Sequence, residues 1–322
     1  MKQKIAILLS TYNGYDYLEE QVQSILNQTN HDWHLYIRDD GSNDGTISLI
    51  REFAKNPLIS FVNDNQPKSL GASQSFLQLL SEVDADYYMF SDQDDYWLPD
   101  KIEVSLARMK SLEETGRKAP ICVHTNLKVT DDNLTPYRLY NTGSLWHDFD
   151  RLLFNNCVTG CTMMINRRLR DTVKFDKVKS SNIYMHDWWL ALIAAAFGVV
   201  SYINSPTILY RQHSSNVLGS LDSKNIKGTL NSIRRVLKPS YDYEEFLKCL
   251  NMITNFNEEY GDQIDGISKR YLEEYSDLTN RSSVSHNLQL ILSLPPKETS
   301  KQKQLLYDSI LIRYASKLKT SN

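Results

Sequence analysis

Short apolar runs and amphipathic stretches alternate through the first third of the chain. Ile5–Ser10 reads as a buried strand, and Asp16–Gln28 sets Leu18, Val22, Ile25 and Leu26 at helical spacing. The alternation repeats with a strand at His34–Asp39, a helix at Thr46–Phe53, a strand at Ile59–Asn63, a helix at Gly71–Leu80 and a strand at Tyr87–Ser91. Pro99 suits the first turn of the next helix, which lines Ile102, Leu106, Met109 and Leu112 along one face. This pattern predicts an α/β fold: a mostly parallel sheet flanked by helices on both faces.

Ligands of such sheets bind beyond the carboxyl ends of the strands. Three of those ends are polar here: Ser10-Thr11-Tyr12-Asn13, Asp39-Asp40-Gly41-Ser42 and Ser91-Asp92-Gln93-Asp94-Asp95. All three fall on one edge of the predicted sheet, so that edge is the expected site.

Further along, Ile121–Val129 reads as a strand and Thr130–Asp150 as a long loop. Cys157–Asn166 is strand-like with Thr159-Gly160 inside it, Asp187–Phe197 is helical, and Val199–Ile203 is a short strand. From about Leu221 the pattern turns helical and more charged. The expected division is a sheet domain over residues 1–220 and a helical C-terminal appendage over 221–322.

A 41% hydrophobic content over 322 residues allows a full core for such a domain. The net charge of −3, with no Lys/Arg-rich run, gives no reason to expect a nucleic-acid partner. The first apolar run ends at Ser10, too short for a secretory signal. The longest, Leu190–Val200, is well short of the roughly 20 residues of a membrane span. Cys122, Cys157, Cys161 and Cys249 form no CxxC pair, which argues against zinc and disulfide frameworks. A reduced, cytoplasmic protein is the expectation.

Asp92, Asp94 and Asp95 follow an apolar strand and concentrate negative charge. Magnesium and manganese take oxygen ligands of this type and bind phosphates at the same time. A solvated turn with a helix cap is the plainer reading of an isolated acid cluster, but the two neighbouring polar loops favour metal. Asp39 and Asp40 sit in a strand-to-helix turn, where a carboxylate also accepts from a base N–H or a ribose hydroxyl. Ser10, Thr11, Tyr12 and Asn13 offer hydroxyls and backbone donors, and Gln93 is counted with the nucleotide contacts. Asp187 either caps its helix or acts as a base on a hydroxyl. His186, Trp188 and Trp189 are acceptor contacts or core, and Arg211 and His213 are a diphosphate contact and a metal ligand or else structural groups.

Ile5–Asn13, Asp39–Thr46 and Ser91–Asp95 together resemble the three N-terminal motifs of family 2 glycosyltransferases with the GT-A, Rossmann-like fold. The resemblance runs through Gly219. It implies inverting transfer from a nucleotide sugar. It implies that Ser10, Tyr12 and Asp40 hold base and ribose with Asp39 beside them. It also implies that Asp92 and Asp94 frame a Mg2+ or Mn2+ ion with Asp94 as the direct ligand, while the third acid, Asp95, is either a further ligand or a structural group. His186-Asp187 stands where the family commonly has Glu-Asp, which makes Asp187 the base.

Within the family, Ser91–Pro99, Met185–Trp189 and Tyr210–His213 are similar to bacterial rhamnosyltransferases. Those use dTDP-L-rhamnose to build rhamnose-rich cell-wall polysaccharides on a lipid carrier at the inner membrane face. Three rivals stand beside this reading: another donor such as a UDP-hexose, a sugar nucleotidyltransferase, and a carbohydrate-binding or scaffold protein without catalysis. Ser10–Gly14 lacks the cationic character that a triphosphate loop needs, and the retained acids argue against a scaffold.

Two C-terminal segments carry basic and apolar residues together. Lys224, Lys227, Arg234, Arg235 and Lys238 lie among Ile226, Leu230, Ile233, Val236 and Leu237. Lys301, Lys303, Arg313, Lys317 and Lys319 lie among Leu305, Leu306, Ile310, Leu311 and Ile312. Each reads either as a helix on the membrane surface or as one packed on the first domain or on a second subunit of a homodimer.

Overall fold

The structure is a computed structural model that describes residues 4–64, 69–116, 118–143, 145–178, 183–212, 240–297 and 300–318. Of these, the residues up to His147, from Cys157 to Phe175 and from Met185 to Gln212 form one compact unit. Asp148–Asn156, the described part of Asp176–Tyr184, and the helices from Ser240 onward form a second. The sequence division after residue 220 keeps the first two of these stretches with the sheet; their contacts put them with the C-terminal helices.

The first unit is built on a sheet in the order β3-β2-β1-β4-β8-β6-β9-β5, with β7 paired to β6. Its strands are β1 Ile5–Thr11, β2 Trp33–Asp39, β3 Ile59–Phe61, β4 Tyr87–Ser91, β5 Tyr96–Trp97, β6 Ile121–Thr130, β7 Pro136–Leu139, β8 Met163–Asn166 and β9 Val199–Arg211. Pairing is parallel from β3 through β4 and between β6 and β9, and antiparallel around β8. β1 lies between two parallel neighbours, which is why its sequence is apolar almost without alternation. Helix α1, Tyr15–Leu26, buries Leu18, Val22 and Ile25 completely against Ile5, Ile7 and Leu9. Burial of such side chains stabilises the layer by about 1.5–3 kcal/mol each. Helices α2 Thr46–Phe53, α3 Ala72–Glu82 and α4 Lys101–Glu113 follow their strands as the periodicity predicts.

Three segments differ from the expectation. The loop over residues 130–150 contains β7, which returns as a hairpin on β6. Within Cys157–Asn166 only Met163–Asn166 is strand, because Gly160–Thr162 turns as a short 3-10 helix. The short strand predicted at Val199–Ile203 continues to Arg211, held by β6 along most of its length.

After the short helices α5 Phe149–Leu152, α6 Arg167–Thr172 and α7 Phe175–Val178 comes α8, His186–Phe197. The second unit then follows with α9 Ser240–Tyr260, α10 Gly266–Ser276, α11 Leu278–Arg281, α12 Val284–Ser293, α13 Lys301–Arg313 and α14 Ala315–Leu318. Its interior is aromatic, with Phe246, Phe256, Tyr260, Tyr271 and Tyr275 buried. Asp150 joins it through Lys297 at 2.6 Å and through Ser268 at 2.5 Å. On α13, Ile310 and Leu311 are buried while Leu305 is exposed, so the inner face of this helix packs within the unit. Lys319 and the basic segment at residues 224–238 lie outside the described residues. No described helix is long and apolar enough to cross a membrane.

Candidate active site

The carboxyl ends of β1, β2 and β4 are neighbours in the parallel sheet, so their three polar loops meet. Gln93 stitches the first to the third. Its Oε1 accepts from Thr11 Oγ1 at 2.6 Å and from the Tyr12 N–H at 2.8 Å, and its Nε2 donates to Tyr12 O at 3.1 Å. The first loop is braced to the second as well. The Asn13 N–H donates to Ser42 Oγ, the Gly14 N–H to Thr46 Oγ1, and the Asn43 N–H to Asn13 Oδ1. Asn13 sits at φ +47°, a conformation that Asn tolerates better than most residues. Ser10 is half-buried at the last turn of β1, and the Tyr12 ring is exposed.

Asp39 and Asp40 have different surroundings. Both Asp40 oxygens are engaged: Oδ1 by Arg38, Ser75 Oγ and the Leu70 N–H, Oδ2 by Ser69 Oγ and the Gly71 N–H. Burial alone would raise the Asp40 pKa, but these donors outweigh it and hold the carboxyl below its usual range. Asp39 Oδ2 closes the turn by accepting from the Gly41 and Ser42 N–H groups. Asp39 Oδ1 is buried and has no hydrogen-bond partner among the described residues. Asp40 therefore holds its own loop together, and the acceptor left over belongs to Asp39.

Asp92 and Asp94 are half-buried and Asp95 is fully buried. Ligand atoms of Asp92, Asp95 and Cys161 lie within 4.8 Å of one another. Burial, followed by the charges of Asp94 and Asp187, pushes the Asp92 carboxyl up to about 7. Burial, then Asp94 and Asp92, drives Asp95 well above the carboxylate range. Lys101 is buried below this corner with its Nζ 4.7 Å over the Trp97 ring. Burial lowers its pKa to about 8, while Cys161 and Asp95 pull in the opposite direction.

Asp187 opens α8 on the same corner, close enough to act on Asp92. It is 5% exposed. Its Oδ2 accepts from the Gly160 N–H at 2.9 Å and its Oδ1 from the Trp188 N–H at 2.6 Å. A Cβ on residue 160 would meet His186 Nε2 at 2.8 Å, so glycine is what lets this backbone approach. The Gly inside an apparent strand was the one sequence sign of that role. Cys161 and Glu20 gave no such sign, because each acts through a partner distant in sequence.

Four expected contact residues are placed differently. The His186 ring packs on Phe76 at 4.3 Å and Phe90 at 5.3 Å, with both nitrogens unpartnered among the described residues. Trp188 and Trp189 are 7% and 0% exposed. An indole buried to this degree offers no open face to a sugar, so α8 uses both as core. The Arg211 guanidinium donates to Asp94 O at 3.0 Å and also bonds Asp132 O and Glu20, with Tyr17 beneath it at 5.0 Å. Arg211 thus buttresses the backbone of the acidic corner. His213 lies outside the described residues.

The glycosyl transferase family 2 sequence model matches residues 6–169. The dTDP-rhamnosyl transferase RfbG of Shigella flexneri is 32% identical over 227 residues, 66% of this chain and 74% of that protein. A UDP-Glc:alpha-D-GlcNAc-diphosphoundecaprenol beta-1,3-glucosyltransferase of Escherichia coli, WfgD, is 24% identical over 59% of this chain and 69% of its own. Among solved structures, TarS 1-349 of S. aureus in complex with UDP-GlcNAc superposes with a TM-score of 0.50. It covers 98% of this chain and 90% of its own at 12% identity, a likeness of fold.

Proposed function

Because this chain belongs to glycosyl transferase family 2 and is a glycosyltransferase of GT-A fold, we propose that it transfers L-rhamnose from dTDP-β-L-rhamnose, with inversion. The acceptor in this proposal is a saccharide on a lipid carrier. The observation that carries the proposal is the convergence of Asp92, Asp94 and Asp187 beyond β4, with Gln93 tying that corner to the first loop. The named activity of the Shigella relative supports the rhamnose donor. The named activity of the Escherichia coli relative favours the second reading, a UDP-hexose donor.

Asp39 Oδ1 takes a donor group of the base or ribose, and the Tyr12 ring, exposed on the first loop, covers the nucleoside. Asp92 and Asp94 would hold Mg2+ or Mn2+. The oxygen donors suit a hard cation. Such an ion supplies neutralisation of the donor diphosphate. Asp187, oriented by the Gly160 and Trp188 N–H groups, accepts the proton of an acceptor hydroxyl. That oxygen bonds the anomeric carbon as the bond to the diphosphate breaks, and the nucleotide leaves with the electron pair.

A panel of nucleotide sugars with a lipid-linked acceptor mimic, read by mass spectrometry, tests the proposal. Transfer is expected from dTDP-rhamnose and lost by at least about a hundredfold in Asp187→Asn, with nucleotide affinity retained. Full transfer by Asp187→Asn would remove that residue from the role, and transfer from a UDP-hexose alone would replace the donor.

A further inference from the structure

A second cluster of ligand-type side chains lies in the first unit, made of residues other than those of the acidic corner. His124 projects from β6, His147 follows the β7 hairpin, and Cys157 begins the return to the sheet. One ligand atom from each lies within 4.8 Å of the other two. The two Nε2 atoms are 3.0 Å apart. Cys157 Sγ lies 2.9 Å from Trp146 O, so the thiol is held beside the residue that precedes His147.

We propose that His124, His147 and Cys157 bind a soft transition-metal ion, with zinc the best fit, in a site separate from that for the donor. Tetrahedral zinc with nitrogens at about 2.05 Å and sulfur at about 2.3 Å sets its ligand atoms roughly 3.3–3.6 Å apart. The present spacing brackets those values, and small side-chain rotations reach them. Imidazole and thiolate favour zinc over magnesium or manganese, the reverse of the preference at Asp92 and Asp94. Three protein ligands leave a fourth position for water. Sequence spacing concealed the set, since its members are scattered over three segments with no CxxC pair.

The placement suggests what the ion does. His147 and Cys157 flank residues 148–156, which belong to the second unit. An ion on both would fasten to β6 the two points where the chain leaves the sheet unit and comes back. Cys157 also starts the segment that presents the Gly160 N–H to Asp187 three residues later.

The test uses tag-free full-length protein, purified without metal-chelate chromatography and dialysed against a weak chelator. Elemental analysis is expected to find one zinc per chain. Cobalt substituted for zinc is expected to give the thiolate-to-cobalt charge-transfer band in the near ultraviolet. Cys157→Ser and His147→Asn, each checked for folding by circular dichroism, should bind zinc more weakly by at least the roughly tenfold that changes beyond the ligand shell produce. Asp92→Asn should leave zinc unchanged. Sub-stoichiometric zinc in the wild type, zinc indifferent to both ligand substitutions, zinc lost only in Asp92→Asn, or cobalt without the thiolate band would each overturn the proposal. Those results would leave His124 and His147 as a hydrogen-bonded imidazole pair.

Discussion

Adjacent acids in one motif do separate work. Asp40 answers the Arg38 guanidinium at 2.8 Å in a buried setting, so Asp40→Asn removes the negative charge facing that cation. Removing one member of a buried pair costs about 3–5 kcal/mol, and urea unfolding should show a loss of that size. Asp39→Asn keeps an oxygen for the Gly41 and Ser42 N–H groups and should leave the unfolding midpoint nearly unchanged. Calorimetry should instead find nucleotide binding about tenfold weaker, or about 1.4 kcal/mol. The buried His186 makes a pH prediction. Burial lowers its pKa to about 3, against 6.5 when unfolded. Its neutral form therefore stabilises the fold fully above pH 6.5, and that stability is lost as pH falls toward 3. At pH 5 the loss is about 2 kcal/mol. His186→Leu should remove it, so that the stability difference between pH 7.5 and pH 5 shrinks by that amount in urea titrations. His124, also lowered to about 3, keeps its own acid-linked loss in that variant.

At the scale of elements, α8 and β9 show how a short connection sets the position of a site. Gly198 alone separates them. A Cβ there would lie 1.9 Å from Pro120 O, a backbone atom that cannot swing aside. Gly198→Ala must displace β9 from β6 or shift α8, and either motion moves Asp187. Overpacking against backbone costs about 1–3 kcal/mol, which is roughly 2–12 °C in Tm for a unit of this size. A thermal scan checks this. A fall of under a degree would mean that the junction is looser than the geometry shows. The first four strands and their helices were legible in the sequence because each is a local periodic segment. β7, the 3-10 turn at Gly160 and the full length of β9 were not, because distant pairing and close approach create them.

At the scale of the molecule, family membership makes the chain a glycosyltransferase, and a lipid-linked acceptor would bring it to a membrane surface. In the second unit, Val284, Leu288 and Leu292 are exposed at one-turn spacing along α12. If the protein works there as a peripheral enzyme, it should float with anionic liposomes, and the bound fraction should fall as salt screens the charge component. Recovery of all protein in the unbound fraction at low salt would exclude membrane contact of this kind.

The sequence by itself determined the α/β class, the order of the first strands and helices, and the edge where polar loops gather. Those follow from periodicity and from strand ends, which are local properties of the chain. It also singled out Asp92, Asp94 and Asp187 as residue types suited to the chemistry. Only the tertiary structure decided how these side chains are used. It gave Asp40 to Arg38 and its loop, left Asp39 with a buried acceptor that has no partner among the described residues, sent His186, Trp188 and Trp189 inward, and set Arg211 behind Asp94. It also gathered His124, His147 and Cys157 from three separate segments. The physical reason is the same throughout: a side chain's residual hydrogen-bonding capacity and its exposure depend on neighbours that the sheet brings together across many tens of residues.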